Sequence, residues 1–192
     1  MASAALKTRY TPSQYLALER NAEFKNEYYD GYITAMAGRS REHNRIARNI
    51  ARQFDYQFED RECEAFTSDT RLCVSSTELY TYPDVMAVCG ESRFQKIEGV
   101  ESLLNPTIIV EVLSPTTESY DRDAKFAHYR QLPSLKAYVL VSQDKVLVEC
   151  YTRQGGDWVL SEFKGLADTL QLPSIGCAIS LREIYATVNL VE

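Results

Sequence analysis

The chain has 192 residues, 45% of them hydrophobic and 25% charged, with a formal net charge of −6 at pH 7. That length suits one compact domain spanning residues 1–192 and is too short for two sizeable cores. The acidic balance excludes a protein that coats nucleic acid through many Lys and Arg, but not an enzyme that touches DNA locally. No stretch approaches the ~20 apolar residues of a membrane span, and the first residues, MASAALKTRY, lack the apolar core of a signal peptide, so a cytoplasmic location is expected. The five cysteines (Cys63, Cys73, Cys89, Cys150 and Cys177) include no CxxC pair. They signal neither a disulfide framework nor a zinc site and are expected to be reduced.

In chain order, TPSQYLALER opens a helix, with Thr11 as N-cap, Pro12 in the first turn and Gln14 completing a capping box. NEYYDGYITAMAG reads as two strands around an Asp30-Gly31 turn. In EHNRIARNIARQFDYQF, Ile46, Ile50 and Phe54 recur every four residues and Ala47 and Ala51 widen the stripe, which predicts an amphipathic helix. The segments CEAFTSDTRLCV, LYTYPDVMAV and TIIVEVL are rich in strand formers. SYDRDAKFAHYRQL predicts a helix ended by Pro133. KAYVLVS and KVLVECYTR flank Gln143-Asp144 as a hairpin, DWVLSEF adds a strand after Gly155-Gly156, and the capping box from Ser180 to Glu183 opens a short last helix.

Within this α/β layout Glu111 stands out. In a strand over 107–113, Ile109, Glu111 and Leu113 share one face and Ile108, Val110 and Val112 the other, so alternation provides no polar face for the acid. A carboxylate lost from water costs roughly several kcal/mol unless a cation meets it. A strand apolar on both sides is typical of a covered sheet, and open α/β sheets place ligands near the carboxyl ends of their strands. Asp84, after Pro83, is a second acid at the edge of an apolar run. Two acids aimed at one place repel unless a hard cation such as Mg²⁺ or Mn²⁺ is shared between them, which makes Asp84 and Glu111 a candidate metal pair. His43 and His128 have no partner at ligand spacing and read as ordinary helix residues.

Pro83-Asp84, IVEVLSPTT at 109–117 and YDRDAKFAHY at 120–129 resemble the Uma2 family, bacterial proteins common in cyanobacteria and labelled restriction endonucleases. EYYDG at 27–31, EHN at 42–44 and SDTR at 68–71 resemble it too, so the likeness covers most of the chain. It implies a restriction-endonuclease-like PD-(D/E)XK fold: a mixed central β-sheet flanked by α-helices, with a β-hairpin extension. The usual motif has a lysine two residues after the second acid. Here Leu113 stands in that place, and the resemblance implies that the lysine has moved to the next helix as Lys125, four residues from both Asp121 and Tyr129. The implied chemistry is phosphodiester hydrolysis of DNA. Asp84, Glu111 and the Val112 backbone carbonyl would hold the metal, and Lys125 would lower the pKa of the attacking water and stabilise charge on the phosphate. Glu27 is a further metal or water ligand, and Asp69 and Asp121 are accessory candidates. Cutting both strands of a duplex suits a homodimer. Two other readings compete: a nuclease-fold module that binds nucleic acid or a protein with little cutting, and a two-carboxylate enzyme such as a glycosidase. The retained acids argue against the first, and a single tryptophan, Trp158, leaves the second without a sugar-stacking platform.

Overall fold

The structure is a computed structural model, and it describes residues 8–190. Helix α1 (Pro12–Glu19) precedes the hairpin β1 (Asn26–Tyr29) and β2 (Tyr32–Ala35), and α2 (Arg41–Phe58) leads into β3 (Cys63–Thr67), β4 (Leu72–Val74), β5 (Leu79–Thr81) and β6 (Val85–Cys89). A second hairpin, β7 (Phe94–Ile97) and β8 (Val100–Leu103), is followed by β9 (Ile108–Leu113) and helix α3 over residues 118–129. Strands β10 (Ala137–Ser142), β11 (Val148–Gln154) and β12 (Asp157–Phe163) form a meander. The small hairpin β13 (Thr169–Leu172) and β14 (Cys177–Ser180) and a helical turn, Leu181–Ile184, come last.

Local signals act where the sequence places them. Thr11 Oγ1 accepts from the Gln14 N–H while Gln14 Oε1 accepts from the Thr11 N–H, closing the capping box. Asp30 and Gly31 both have positive φ (47° and 82°), as a two-residue I′ turn requires, and β1 and β2 pair antiparallel around them. Ser40 caps α2 by accepting from the His43 N–H at 3.0 Å.

The strands make two six-stranded sheets, ordered β2-β1-β5-β4-β8-β7 and β12-β11-β10-β9-β6-β3, where a mixed central sheet with one hairpin extension is expected from sequence. The second sheet is mixed, because β9 and β10 run parallel while its other pairings are antiparallel. One face of β9, with Ile108, Val110 and Val112, packs on Ile46, Ile50 and Phe54 of α2. Its other face, with Ile109 and Leu113, meets Leu72, Val74 and Leu79 of the first sheet. A helix covers one side of the strand and a sheet the other, which explains its unbroken apolar run. No described helix is long and apolar enough to cross a membrane.

Two local features differ from the sequence reading. Cys63 and Cys89, directly opposed on β3 and β6, are joined in a disulfide, while Cys73, Cys150 and Cys177 are free and buried. Cross-strand register, invisible in cysteine spacing, brought the pair together. Helix α3 is also not a uniform α-helix: its middle turn, Asp121–Lys125, is a π-helix between the α turns Glu118–Tyr120 and Phe126–Tyr129. Such widened turns occur frequently at functional sites.

Because Ile50 is fully buried between α2 and the second sheet, Ile50→Ala is expected to destabilise the fold by about 2–5 kcal/mol. Urea denaturation followed by circular dichroism measures it.

Candidate active site

Strand β9 ends at Leu113, and Glu111 lies two residues before that end with 1% of its surface exposed. Its Oε1 accepts from Lys125 Nζ at 3.1 Å and from the Tyr129 hydroxyl at 2.8 Å. Lys125 is equally buried, and its ammonium also lies 3.1 Å from Asp121 Oδ1 and 3.3 Å from Glu27 Oε1. Glu27 arrives from β1 of the other sheet and accepts from the Thr81 hydroxyl of β5. Three carboxylates from three elements thus converge on one ammonium. The π turn presents Asp121 and Lys125 inward together, and the Tyr138 hydroxyl anchors that turn by donating to the Asp121 carbonyl at 2.9 Å.

Asp84 sits on the other flank. Val85 pairs with Val110 in the antiparallel β6–β9 register, and one further step brings Asp84 opposite Glu111. Its Oδ2 accepts from the Val112 N–H at 2.8 Å and its Oδ1 from His43 Nε2 at 2.8 Å, with Arg39 Nε at 3.9 Å. His43 lies inside α2 with its Nδ1 buried and without a hydrogen-bond partner among the described residues. A cleft of ≈ 440 Å³ opens beside the cluster, with Glu27, Lys125, Arg39 and the rings of Tyr29, Tyr32 and Tyr120 on its walls.

Burial raises the carboxyl of Glu111 to about 8; the Lys125 ammonium opposes the shift, while Asp121 and Asp84 add to it. Burial by itself lowers the Lys125 pKa, but Glu111, Glu27 and Asp121 outweigh it and hold the amine well above its ordinary value. For Asp84 burial works towards a higher pKa and is overcome by the hydrogen bond and charge of His43, the charge of Arg39 and the Val112 N–H, so its carboxyl lies below the usual range. Ionising all three acids around Lys125 would leave a net charge of −2 in a buried space. Glu111, the most buried of them, holds its proton well above the usual carboxylate range.

The donor chemistry fits a hard divalent cation. All the candidate ligands are oxygens, carboxylates and the Val112 carbonyl, the cluster carries excess negative charge once its acids are ionised, and the second oxygens of Glu111 and Glu27 take no hydrogen bond from any described residue. Among the described residues no three acid, imidazole or thiol groups are arranged so that they could hold an ion by themselves, since Lys125 stands between the three acids. A Mg²⁺ ion needs only one or two protein carboxylates, with waters completing its shell.

Of the residues singled out from sequence, Asp84, Glu111, Lys125, Glu27 and Asp121 are brought to this one place. Asp69 is not: it lies in an exposed turn, paired with Lys25. Val112 offers its N–H to Asp84, a contact the carbonyl assignment did not foresee. Sequence reasoning passed over His43, Arg39 and the hydroxyl of Tyr129. The signal for His43 was weak, since its partner lies 41 residues away on another element. Tyr129 was legible as the third member of the Asp121–Lys125 face, without a stated role.

Comparison with known proteins agrees with this geometry at the level of fold. A crystal structure titled as "a putative nuclease belonging to DUF820" from Anabaena variabilis ATCC 29413 superposes with a TM-score of 0.75, covering 92% of this chain and 98% of that one at 20% identity. This chain therefore shares the fold of that protein. The chain belongs to the Uma2 family, described as "Putative restriction endonuclease", which it matches over residues 12–182. Two Synechocystis sp. relatives, the uncharacterized proteins slr1290 and sll1609, are 36% and 38% identical, over 92% and 81% of this chain and 92% and 88% of their own lengths.

The raised Glu111 pKa carries a stability signature. Between about pH 5 and 8 the folded protein keeps a proton that an unfolded glutamate, with a pKa near 4.3, has lost, so stability falls as pH rises. The depressed Asp84 and elevated Lys125 titrate outside that window. In EDTA the wild-type Tm is expected to fall from pH 5 to 8, and Glu111→Gln to remove that part of the slope. Identical profiles for the two proteins would show Glu111 ionised throughout.

Proposed function

We propose that the protein is a metal-dependent endonuclease that hydrolyses phosphodiester bonds of DNA, with Asp84, Glu111 and Lys125 as its central residues. The observation that carries this reading is the buried ammonium of Lys125, held by Glu111, Glu27 and Asp121 on the wall of a cleft. A structural ion pair needs one acid for one lysine. Three acids around one lysine, beside a fourth on the adjoining strand, make a cluster whose excess charge, once Glu111 gives up its proton, a further cation would balance.

Asp84 and Glu111 would hold Mg²⁺ or Mn²⁺, with Glu27 on the cleft side as an additional ligand or water acceptor. When bound, such an ion supplies Lewis-acid polarisation of the phosphate and lowers the pKa of a water. The protein's own groups do the rest. Lys125, kept charged by its acids, presents N–H donors towards a phosphate in the cleft and favours the charge that grows there in the transition state. Glu27, less buried than Glu111, can accept a proton from an attacking water. His43 and the Val112 N–H grip both oxygens of Asp84 and orient its remaining lone pairs. The Tyr129 hydroxyl does the same for Glu111. Cleavage of both strands of a duplex would follow from two copies related by a two-fold axis.

The test is cleavage of supercoiled plasmid with Mg²⁺ or Mn²⁺, comparing wild type with Glu111→Gln and Lys125→Ala after circular dichroism has established that each variant is folded. Wild type is expected to nick or linearise the plasmid, with activity lowered at least 100-fold in each variant, in line with the loss of a transition-state charge stabiliser, and abolished by EDTA. Normal cutting by Lys125→Ala would remove the lysine from the reaction. No cutting by wild type, with Mn²⁺ bound through Glu111 in calorimetry, would make the protein a metal-holding binding module.

A further inference from the structure

Five arginines, Arg39, Arg41, Arg45, Arg48 and Arg52, lie within fourteen residues of a chain whose net charge is −6. The last four follow i, i+4, i+7, i+11 spacing along α2, one stripe of about 16 Å at 1.5 Å per residue. Arg41, Arg48 and Arg52 are exposed and form no ion pair with any described residue, and Arg45 is half-buried with its guanidinium on the Thr187 carbonyl. Helix stability does not account for this stripe. Cations are favoured in the last turn, where α2 has none, and disfavoured in the first, where Arg41 stands, and like charges at i, i+4 oppose each other. The apolar face of the same helix, with Ile46, Ile50 and Phe54, is spent on the core, so the arginines point the other way.

The stripe is continuous with the site. Arg39 lies on the wall of the cleft that holds Lys125 and also on a shallow depression formed with Arg41, Asn44, Arg45 and Arg48. A second depression joins Asn44, Arg48 and Arg52 to Thr67, Ser68 and Asp84, and Asp55 marks its far end. We propose that this face of α2 is a track for the phosphodiester backbone of duplex DNA, leading one strand past Asp84 towards the cleft. Its length matches several consecutive phosphates of one strand, and its exposed guanidiniums and amide are donors suited to phosphate oxygens. The choice of duplex DNA as partner rests on the nuclease reading; the existence of a cationic, anion-binding track does not.

The experiment is fluorescence anisotropy of a fluorescein-labelled blunt DNA duplex with the whole protein, in EDTA so that nothing is cut, between about 50 and 200 mM KCl. Arg48→Ala/Arg52→Ala is compared with wild type and with Lys136→Ala/Lys164→Ala, which removes the same charge from exposed positions off α2. The α2 double variant is expected to bind more weakly and to lose about 1.8 from the slope of log K against log[KCl], about 0.9 per lost phosphate contact, with the control unchanged. Salt-dependent binding through Arg48 and Arg52 by a protein that never cuts plasmid would uphold the track and remove the nuclease reading. Plasmid cutting by wild type, with equal affinity and slope in the α2 variant, would overturn the track and leave the nuclease. Absence of duplex binding, or equal losses in both double variants, would also overturn it.

Discussion

The Lys125 ammonium is the point on which this structure turns. It joins Glu27 of the first sheet, Glu111 of the second and Asp121 of its own helix, so one cation ties three elements at that end of the molecule. Each acid alone would be an unpaired buried or half-buried charge, and the group is tolerable only because every member has an opposite charge or a hydrogen bond within reach. Sheet packing and site assembly are therefore one event: β1 must lie against the end of β9 for Glu27 to reach the lysine.

On the proposed reading, that dependence accounts for the lysine standing on the helix and not two residues after Glu111. The residue two after Glu111, Leu113, points into the apolar core with Tyr129, Tyr138 and Leu140 and helps hold the two sheets together. A lysine there would bury its stem in the inter-sheet core. From α3 the side chain instead reaches Glu111 over the open end of the sheet, and the π turn points Asp121 and Lys125 inward together. Moving the cation to the helix keeps the strand apolar on both faces while retaining a charge beside the acid. The second flank is built by a different device, in which a strand N–H and a helix imidazole fix Asp84 and leave α2 to present its arginines outward.

Much of this was legible locally. The Thr11 and Ser180 caps, the Asp30-Gly31 turn and the apolar stripe of α2 depend on residues within one or two turns of each other, and the structure places them as read. Glu111 was legible for a subtler reason: an acid inside an unbroken run of Ile, Val and Leu has no comfortable solvated position, so its presence implied a partner before the partner was seen. The Asp121, Lys125 and Tyr129 face followed from helical spacing, even though a π turn interrupts the helix that carries it.

What remained illegible depends on distance along the chain. Two sheets in place of one, the cross-strand Cys63–Cys89 pair, the His43 contact to Asp84 and the exclusion of Asp69 all depend on which strands lie side by side, and no periodicity records that. The sequence by itself determined most element types and singled out Glu111 and Asp84, because these follow from local propensity and from the cost of burying charge; Lys125 came from the family resemblance. Only the tertiary structure decided that Glu27 shares the lysine, that His43 grips Asp84 and that Arg39, just ahead of α2, borders the cleft beside Lys125. Those contacts join residues 41 to 98 positions apart, and packing of apolar faces, which brings them together, is blind to which polar groups meet at its edge.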